Sequence, residues 1–301
     1  MRKFTGKVFH AVGSTYRRHT EIRDFKSAEF TKTDPEDVSA LPDYYFLLIP
    51  NNSGSTIMAQ YLASQIGGFV PPFGHYEGQH IPELRTHMRT DPWAKDTQLD
   101  WKYIRSVWDE YRNGQTFVES SPPNLMRIDQ IRNEFKSSAQ YIAALGNPYH
   151  YIASCYFNYN RSRPRSFGGL TRQWLQRAKL VRYVCKTFGD IPFISYEDFC
   201  EDPKRMNQIL GLETDLQAQI EGKPNTKVKE IRNLGVRTTS FLTAAEVDEI
   251  SHFLEPHRAF LDQFGYSVVS GQEMVASFSE QPEEFRLGLE RRRKWESANL
   301  K

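Results

Sequence analysis

The sequence has few of the features that mark secreted, metal-binding or membrane-spanning proteins. Its 301 residues include three cysteines, Cys155, Cys185 and Cys200, which form no CxxC pair and no ligand-like spacing with histidine. We therefore expect no structural zinc and reduced cysteines in a reducing compartment. No window approaches the ~20 apolar residues that span a bilayer, and the amino-terminal residues carry no long apolar stretch typical of a secretory signal. These absences predict a cytoplasmic protein with no metal and no membrane partner.

The chain also has little excess of positive over negative charge. The chain has 39 Lys and Arg against 37 Asp and Glu, which gives a formal net charge of +2. Such a balance does not favour nucleic acid or a membrane surface as partner, so any anion-binding site must be local. Apolar residues make up 39% of the chain and aromatic residues 13%. This content suits a sizeable core, and the length suits one large α/β domain or, less well, two small ones.

Short apolar runs alternate with amphipathic segments from residue 44 onwards. The runs predict buried strands at 44–49, 116–120, 140–145 and 192–196. The segments between and after them predict helices at 55–66, 99–114, 123–135, 148–160, 170–189 and 197–211, and one at 242–266 that breaks near Pro256. This alternation predicts an α/β fold with a central parallel sheet flanked by helices. We divide the chain into a polar leader (1–43), the α/β domain (44–270) and a charged helical tail (271–301) with a solvated face.

A loop of small residues separates the first predicted strand from the first predicted helix. It consists of Asn51, Asn52, Ser53, Gly54, Ser55 and Thr56, none of them basic. Backbone N–H groups in such a turn and at a helix N-terminus attract phosphate, and glycine allows close approach. The same residues equally suit an N-cap with no ligand. The triphosphate-binding pattern G-x-x-x-x-G-K-[ST] is absent, which counts against a kinase-like phosphoryl transferase.

Four blocks, in order, resemble the sulfotransferases that use 3′-phosphoadenosine 5′-phosphosulfate. IPNNSGSTIM (49–58) looks like their 5′-phosphosulfate loop, and FVESSPPNLMRIDQIRNEF (117–135) is similar to their E-K-S-P-x-N block. YIAALGNPYHYIASCYFN (141–158) is similar to their 3′-phosphate block, and FISYEDFCEDPKRMNQIL (193–210) to their Y-E-D-[LF]-x-x-D-P block. The resemblance implies a P-loop-like three-layer fold, this nucleotide as co-substrate, and sulfuryl transfer to a hydroxyl of a sugar or small metabolite. Nothing in it sets an oligomeric state.

The sequence departs from that family at three cationic positions, where it has Asn52, Ser120 and Gly146. Negative charge builds on the leaving nucleotide during transfer, and preorganised cations normally stabilise it. The departure leaves open a second reading, a non-catalytic nucleotide- or ligand-binding protein on a degenerate sulfotransferase fold. Replacement cations are available in two basic segments, whose alternative role is solvated surface: Arg161, Arg163 and Arg165, and Lys227, Lys229 and Arg232.

The resemblance also implies roles for individual side chains. Glu77 is the first candidate for the general base, with His75 and His80 as alternatives; each equally suits a loop residue with local hydrogen bonds. Asn52 stands where a basic residue contacts the leaving group. Two roles stay open for Ser154, which donates to the 3′-phosphate or caps a helix turn, and for Tyr196, which stacks near adenine or lies in the core. For Glu119 we expect a role in orienting the loop by accepting hydrogen bonds from backbone N–H groups.

Overall fold

The computed structural model describes residues 41–94, 97–159, 166–213 and 231–299. Its strands are β1 (Tyr44–Leu48), β2 (Phe117–Glu119), β3 (Ala139–Leu145) and β4 (Phe193–Ser195). Its helices are α1 (Ser55–Ile66), α2 (Arg85–Arg89), α3 (Trp101–Arg112), α4 (Ile128–Phe135), α5 (Pro148–Tyr159), α6 (Phe167–Thr187), α7 (Tyr196–Glu201), α8 (Lys204–Ile209), α9 (Gly235–Thr239), α10 (Ala244–Leu254), α11 (Arg258–Leu261), α12 (Gly271–Ser277) and α13 (Pro282–Asn299). Short 3₁₀ turns include Gly78–His80, Pro122–Met126 and Glu255–His257.

The strands form one parallel sheet in the order β2-β1-β3-β4. Each lies within two residues of its predicted bounds, because a short apolar run buried on both faces is a strong strand signal. The predicted α/β class with a central parallel sheet flanked by helices is therefore confirmed. No helix in the described ranges is long and apolar enough to cross a bilayer.

Alternate residues of β1 enter two separate cores. Tyr44 and Phe46 pack with Trp108 of α3 in one core, and Tyr45 and Leu47 pack on the opposite face, against helices that include α1 and α7. This separation follows from the period of two in a strand, which sends successive side chains to opposite faces. The result is a three-layer arrangement with an apolar core on each side of the sheet.

Helix ends follow the local sequence. Asn147 precedes the proline that begins α5, and its Oδ1 accepts a hydrogen bond from the Tyr149 N–H at 2.9 Å, as expected for an N-cap before a first-turn proline. Gly67 ends α1 in the left-handed region with φ 61°. These caps fix the direction in which both helices leave the sheet.

Several predicted segments differ in detail. The expected helix 123–135 begins as the 3₁₀ turn 122–126. Between the expected helix 55–66 and the expected helix 99–114 the structure has the additional short helix α2. The expected helix 197–211 divides into α7 and α8 around Pro203, where proline cannot continue a hydrogen-bonded helix. The expected helix 242–266 does break at Pro256, into α10, a 3₁₀ turn and α11.

The charged tail helix is packed rather than solvated. α13 lies against α9 so closely that a Cβ on Gly288 would come within 2.5 Å of the Arg237 carbonyl oxygen. Trp295 of the same helix packs on the core, with its ring 5.0 Å from that of Phe157. The basic residues of α13 are therefore carried by a helix with a buried apolar side.

Candidate functional site

The loop that follows β1 lies at a switch point of the sheet. β1 has β2 on one side and β3 on the other, so the chain leaves β1 for one neighbour and later returns on the other side. In open parallel sheets a crevice forms beyond the carboxyl ends of two such strands, and ligands bind there. The loop before α1 and the 146–147 connection after β3 are the two segments that border this crevice.

The conformation of the loop after β1 depends on a left-handed turn. Asn52 and Gly54 have φ values of 57° and 85°, and α1 begins at Ser55. A Cβ on Gly54 would lie 2.2 Å from the ring of Tyr196, so only glycine fits between loop and ring. The Ser53 hydroxyl is buried and has no hydrogen-bond partner among the described residues. Such an orphaned buried donor calls for an explanation, and a bound anion supplies one.

A chain of side-chain contacts connects this loop to α5. The Ser154 hydroxyl lies 3.4 Å from Asn52 Oδ1, and the Asn52 amide donates to Cys155 Sγ at 3.2 Å. The Asn158 amide donates to the Ser154 hydroxyl at 3.2 Å. The structure therefore brings together Asn52 and Ser154, two candidate residues that lie 102 positions apart in the sequence.

The two other neutral replacements are built into the fold. A Cβ on Gly146 would approach the Ser53 Cα to 3.3 Å, and the Gly146 carbonyl accepts from the Trp174 indole N–H at 2.9 Å. Ser120 is fully buried, and its hydroxyl lies 3.5 Å from the Tyr76 carbonyl oxygen. Neither position leaves an open place for a missing long cation.

Tyr196 lies between the loop and α5. Only 6% of its surface is exposed, and its ring lies 5.7 Å from the ring of His150. Burial raises the pKa of Tyr196, whose hydroxyl bonds with Cys200 and with the Leu234 backbone. Burial also lowers the pKa of His150 to about 4, so His150 is neutral at pH 7. Tyr196 and His150 therefore add no charge to this wall of the crevice at pH 7.

Glu197 is a further residue of the crevice, and the sequence reasoning assigned it no role. Its Oε1 accepts from the Asn147 N–H at 3.1 Å, and its Oε2 accepts from the Tyr266 hydroxyl at 2.9 Å. Burial raises its pKa. Glu197 thus ties the start of α5 to the end of β4, and its place in the Y-E-D block was the available signal.

The candidate bases lie in the loop 73–80, beside the carboxyl end of β2. Glu77 is 6% exposed, its Oε2 accepts from the Gln79 amide, and it lies 3.4 Å from His80 Nε2. Burial and the neighbouring Arg89, in that order, lower the pKa of His80. The exposed His75 connects this loop to the loop after β1, since its carbonyl accepts a hydrogen bond from Thr56 Oγ1 at 3.2 Å. The structure therefore brings Glu77, His75 and His80 together near the loop after β1.

Basic groups lie in places that the sequence reasoning did not single out. Arg161, Arg163, Arg165, Lys227 and Lys229, like most of the leader, lie outside the described residues. Arg232 is described, and its Nη1 lies 3.5 Å from a carboxylate oxygen of Glu284 in α13. Arg85 and Arg89 of α2 are exposed and lie close enough to lower the pKa of His80. No group of three His, Cys, Asp or Glu in the described residues is arranged to hold a metal ion.

Comparison with known proteins gives structural matches alone. No family model and no curated protein sequence matches this chain. Among solved structures, it is similar to the sulfotransferase domain from the curacin biosynthetic pathway (16% identity over 65% of this chain and 82% of that one, TM-score 0.44). It is also similar to the sulfotransferase domain of the Synechococcus PCC 7002 olefin synthase (19% identity, 67% and 85%, 0.42). A third match is the sulfotransferase from Alicyclobacillus acidocaldarius (16% identity, 76% and 97%, 0.47).

Proposed function

We propose that this chain is a sulfotransferase-like enzyme that moves a sulfuryl group from 3′-phosphoadenosine 5′-phosphosulfate to a hydroxyl of a sugar or small metabolite. The observation that carries the proposal is the contact between Asn52 and Ser154, 3.4 Å between side-chain oxygens. The sequence resemblance assigns these residues to opposite ends of one nucleotide, and nothing in the local sequence requires them to meet. Their meeting at the switch point of a parallel sheet is what a nucleotide site needs.

The loop after β1 supplies the donors for the anionic end of the nucleotide. Backbone N–H groups of residues 53–56 and the N-terminus of α1 favour a bound phosphate or sulfate group. The orphaned Ser53 hydroxyl fits such a group, because a bound oxyanion would complete its hydrogen bonding. Ser154 and Asn158 would hold the other end of the nucleotide from α5. The co-substrate itself supplies the activated sulfuryl group.

Glu77 is the residue that we assign as general base, with His80 beside it. A base must lie within hydrogen-bond reach of the proton that it removes. Glu77 belongs to the loop 73–80, which a hydrogen bond from Thr56 connects to the loop after β1. The hydrogen bond from Gln79 and the nearby His80 hold its carboxylate in one orientation. We also propose a cytoplasmic location, which is supported by the three cysteines, since they form no disulfide in the described part of the chain.

A specific observation favours the alternative, a non-catalytic binding protein on the same fold. All three neutral replacements are integrated into their surroundings: Asn52 bonds to Cys155, Gly146 packs on Ser53, and Ser120 is buried. Losing one preorganised donor to a developing oxyanion costs roughly two to three orders of magnitude in rate. On this alternative the crevice binds a nucleotide or another ligand and performs no transfer.

Two measurements separate these functions. Calorimetric titration with 3′,5′-adenosine bisphosphate, the nucleotide product, tests binding in the micromolar range, and transfer of labelled sulfate from the co-substrate to a panel of hydroxyl compounds tests catalysis. Gly54→Ala should abolish binding, because its Cβ meets the Tyr196 ring at 2.2 Å. Gly114→Ala is the matched control, with a φ of 80° and nothing within 4 Å of its Cβ. Binding without transfer would leave the alternative. No binding of this nucleotide by the parent protein would refute the sulfotransferase proposal and leave a binding protein for another ligand.

A further inference from the structure

Three consecutive residues at the carboxyl end of β2 hold the loop that carries the candidate bases. Their contacts are Gly78 N–H to Glu119 Oε2 (2.7 Å), Gln79 N–H to Ser121 Oγ (3.1 Å) and Ser120 Oγ to the Tyr76 carbonyl (3.5 Å). The three residues that they hold, Tyr76, Gly78 and Gln79, flank Glu77. Residues 119–121, at the end of the edge strand β2, therefore hold this turn in place.

Glu119 makes the strongest of these contacts. Its side chain is fully buried, and besides Gly78 it accepts from the Ser121 N–H at 2.9 Å and from the Asn124 amide at 3.0 Å. Burial raises the pKa of Glu119, and the hydrogen bonds from Ser121, Gly78 and Asn124 oppose that shift because they favour the charged form. Removing the carboxylate would leave the buried Gly78 N–H without a partner, which costs on the order of 1–3 kcal/mol.

The turn 76–79 also packs closely against the end of β2. A Cβ on Gly78 would lie 2.4 Å from Glu119 Oε2 and 2.9 Å from the Trp108 indole nitrogen, so this position tolerates glycine alone. Tyr76 has a φ of 63°, a left-handed conformation that a tyrosine adopts only when its surroundings impose it. The contact at Gly78 therefore fixes the backbone that follows Glu77, while Ser120 contacts the Tyr76 carbonyl on its other side.

We propose that Glu119 is a positioning residue: through the Gly78 N–H it fixes the turn that carries Glu77 and His80, and so sets where the proton of the acceptor hydroxyl is taken. The chemical meaning of this inference rests on the proposed function. The positioning itself is a property of the fold, and it is testable without co-substrate or acceptor.

The test follows the His80 imidazole by NMR during a pH titration, with its resonance assigned by His80→Gln. Burial keeps the pKa of His80 low in the parent protein. A loosened turn admits water, so in Glu119→Gln and in Gly78→Ala the titration midpoint should rise toward the ordinary histidine value of ~6.5. Gly78→Ala disturbs the same contact from its other side, and it decides the test if Glu119→Gln does not fold.

The matched control is Asn207→Ala, which removes a buried hydrogen bond of 3.0 Å to Gln65, between α8 and α1. It should lower the melting temperature and leave the His80 midpoint unchanged. If the Glu119 and Gly78 variants also lose stability without moving the midpoint, Glu119 is merely structural and the inference is wrong. Failure of the parent to bind nucleotide would refute the proposed function instead, while the His80 response would still decide the positioning.

If the parent protein catalyses transfer, comparing kcat with nucleotide affinity provides a second test of the positioning role. Glu119→Gln should lower kcat by roughly 100-fold, since a displacement of about 1 Å is enough for that loss. Its affinity for 3′,5′-adenosine bisphosphate should stay within about twofold of the parent, because its contacts lie on the acceptor side of the crevice. An equal loss of nucleotide affinity would contradict the assignment.

Discussion

At the scale of the residue, the two neutral positions Asn52 and Ser120 have different surroundings. Asn52 is partly exposed in a left-handed turn, whereas Ser120 is fully buried behind the loop 73–80. A lysine at 52 would reach the crevice, at a cost of about 1 kcal/mol for its backbone conformation. A lysine at 120 would bury an unpaired ammonium group, which is far more costly. The same substitution should therefore have opposite effects at the two sites.

We expect Asn52→Lys to tighten the binding of 3′,5′-adenosine bisphosphate by roughly tenfold, the worth of one charge-assisted hydrogen bond of about 1.5 kcal/mol. Its affinity should fall more steeply with salt than that of the parent. Ser120→Lys should lower the midpoint of urea unfolding and give no gain in affinity. Calorimetry at two salt concentrations and urea titration measure these effects. Equal behaviour of the two variants would show that residue 52 does not face the ligand.

His150 should make the stability of the fold depend on pH. Burial holds its folded-state pKa at about 4, whereas the unfolded chain titrates near 6.5. Between these values the unfolded chain binds the proton and the native state does not, so stability falls as pH drops from about 6.5 to 4 and is fully present above that window. The loss amounts to at most about 3 kcal/mol.

Urea unfolding at pH 7 and pH 4.5 measures this dependence. His150→Gln should show a smaller drop between the two pH values than the parent, because its side chain does not titrate. A parallel titration of His257→Gln provides the comparison with another histidine whose pKa is lowered by burial. An unchanged pH dependence in His150→Gln would mean that the His150 ring is hydrated in solution.

At the scale of the element, strands and long helices followed from the sequence, while short irregular pieces did not. The apolar run YYFLL fixes β1 because both of its faces are buried, and Gly67 marks the end of α1 through its left-handed conformation. The five-residue helix α2 has no comparable signal, because helices this short are set by tertiary contacts rather than by propensity. The packing of α13 was missed for a related reason, since its sequence is dominated by charge.

Gly288 shows how packing reverses a local preference. On an exposed helix, glycine to alanine stabilises by about 1 kcal/mol. On α13 a Cβ at this position would lie 1.7 Å from Ser240 Oγ and 2.5 Å from the Arg237 carbonyl oxygen. We expect Gly288→Ala to destabilise the protein by about 1–3 kcal/mol in urea unfolding. Adding Ser240→Ala should restore part of the loss, and a stabilised single variant would mean that α13 does not dock in solution.

At the scale of the whole molecule, sequence motifs predicted which residues form the candidate site, whereas the sheet determines how those residues are arranged. No spacing rule predicts that Asn52 meets Ser154, or that Glu119 bonds to Gly78, because these contacts depend on how separate loops leave neighbouring strands. Such long-range contacts depend on the tertiary structure, and the order of the motifs predicts only which segments lie near one another.

Since the proposed site joins loops from β1, β2 and β3, a bound nucleotide should stabilise the whole domain. A ligand that binds the native state alone, at 100 times its dissociation constant, adds about 2.7 kcal/mol. We expect 3′,5′-adenosine bisphosphate to raise the midpoint of urea unfolding accordingly in the parent protein and not in Gly54→Ala. Adenosine serves as the control ligand, since it lacks both phosphates. An equal rise with adenosine would show that the anionic groups are not bound.

The strand order has a consequence for synthesis on the ribosome. β1 is made first, yet its two partners in the sheet begin about 75 and 95 residues later. At translation speeds of 5–20 residues per second, this leaves the YYFLL segment without its neighbours for roughly 5–20 s. A segment of this composition readily pairs with other chains. The nascent polypeptide should therefore be a client of ribosome-associated chaperones until β3 has emerged.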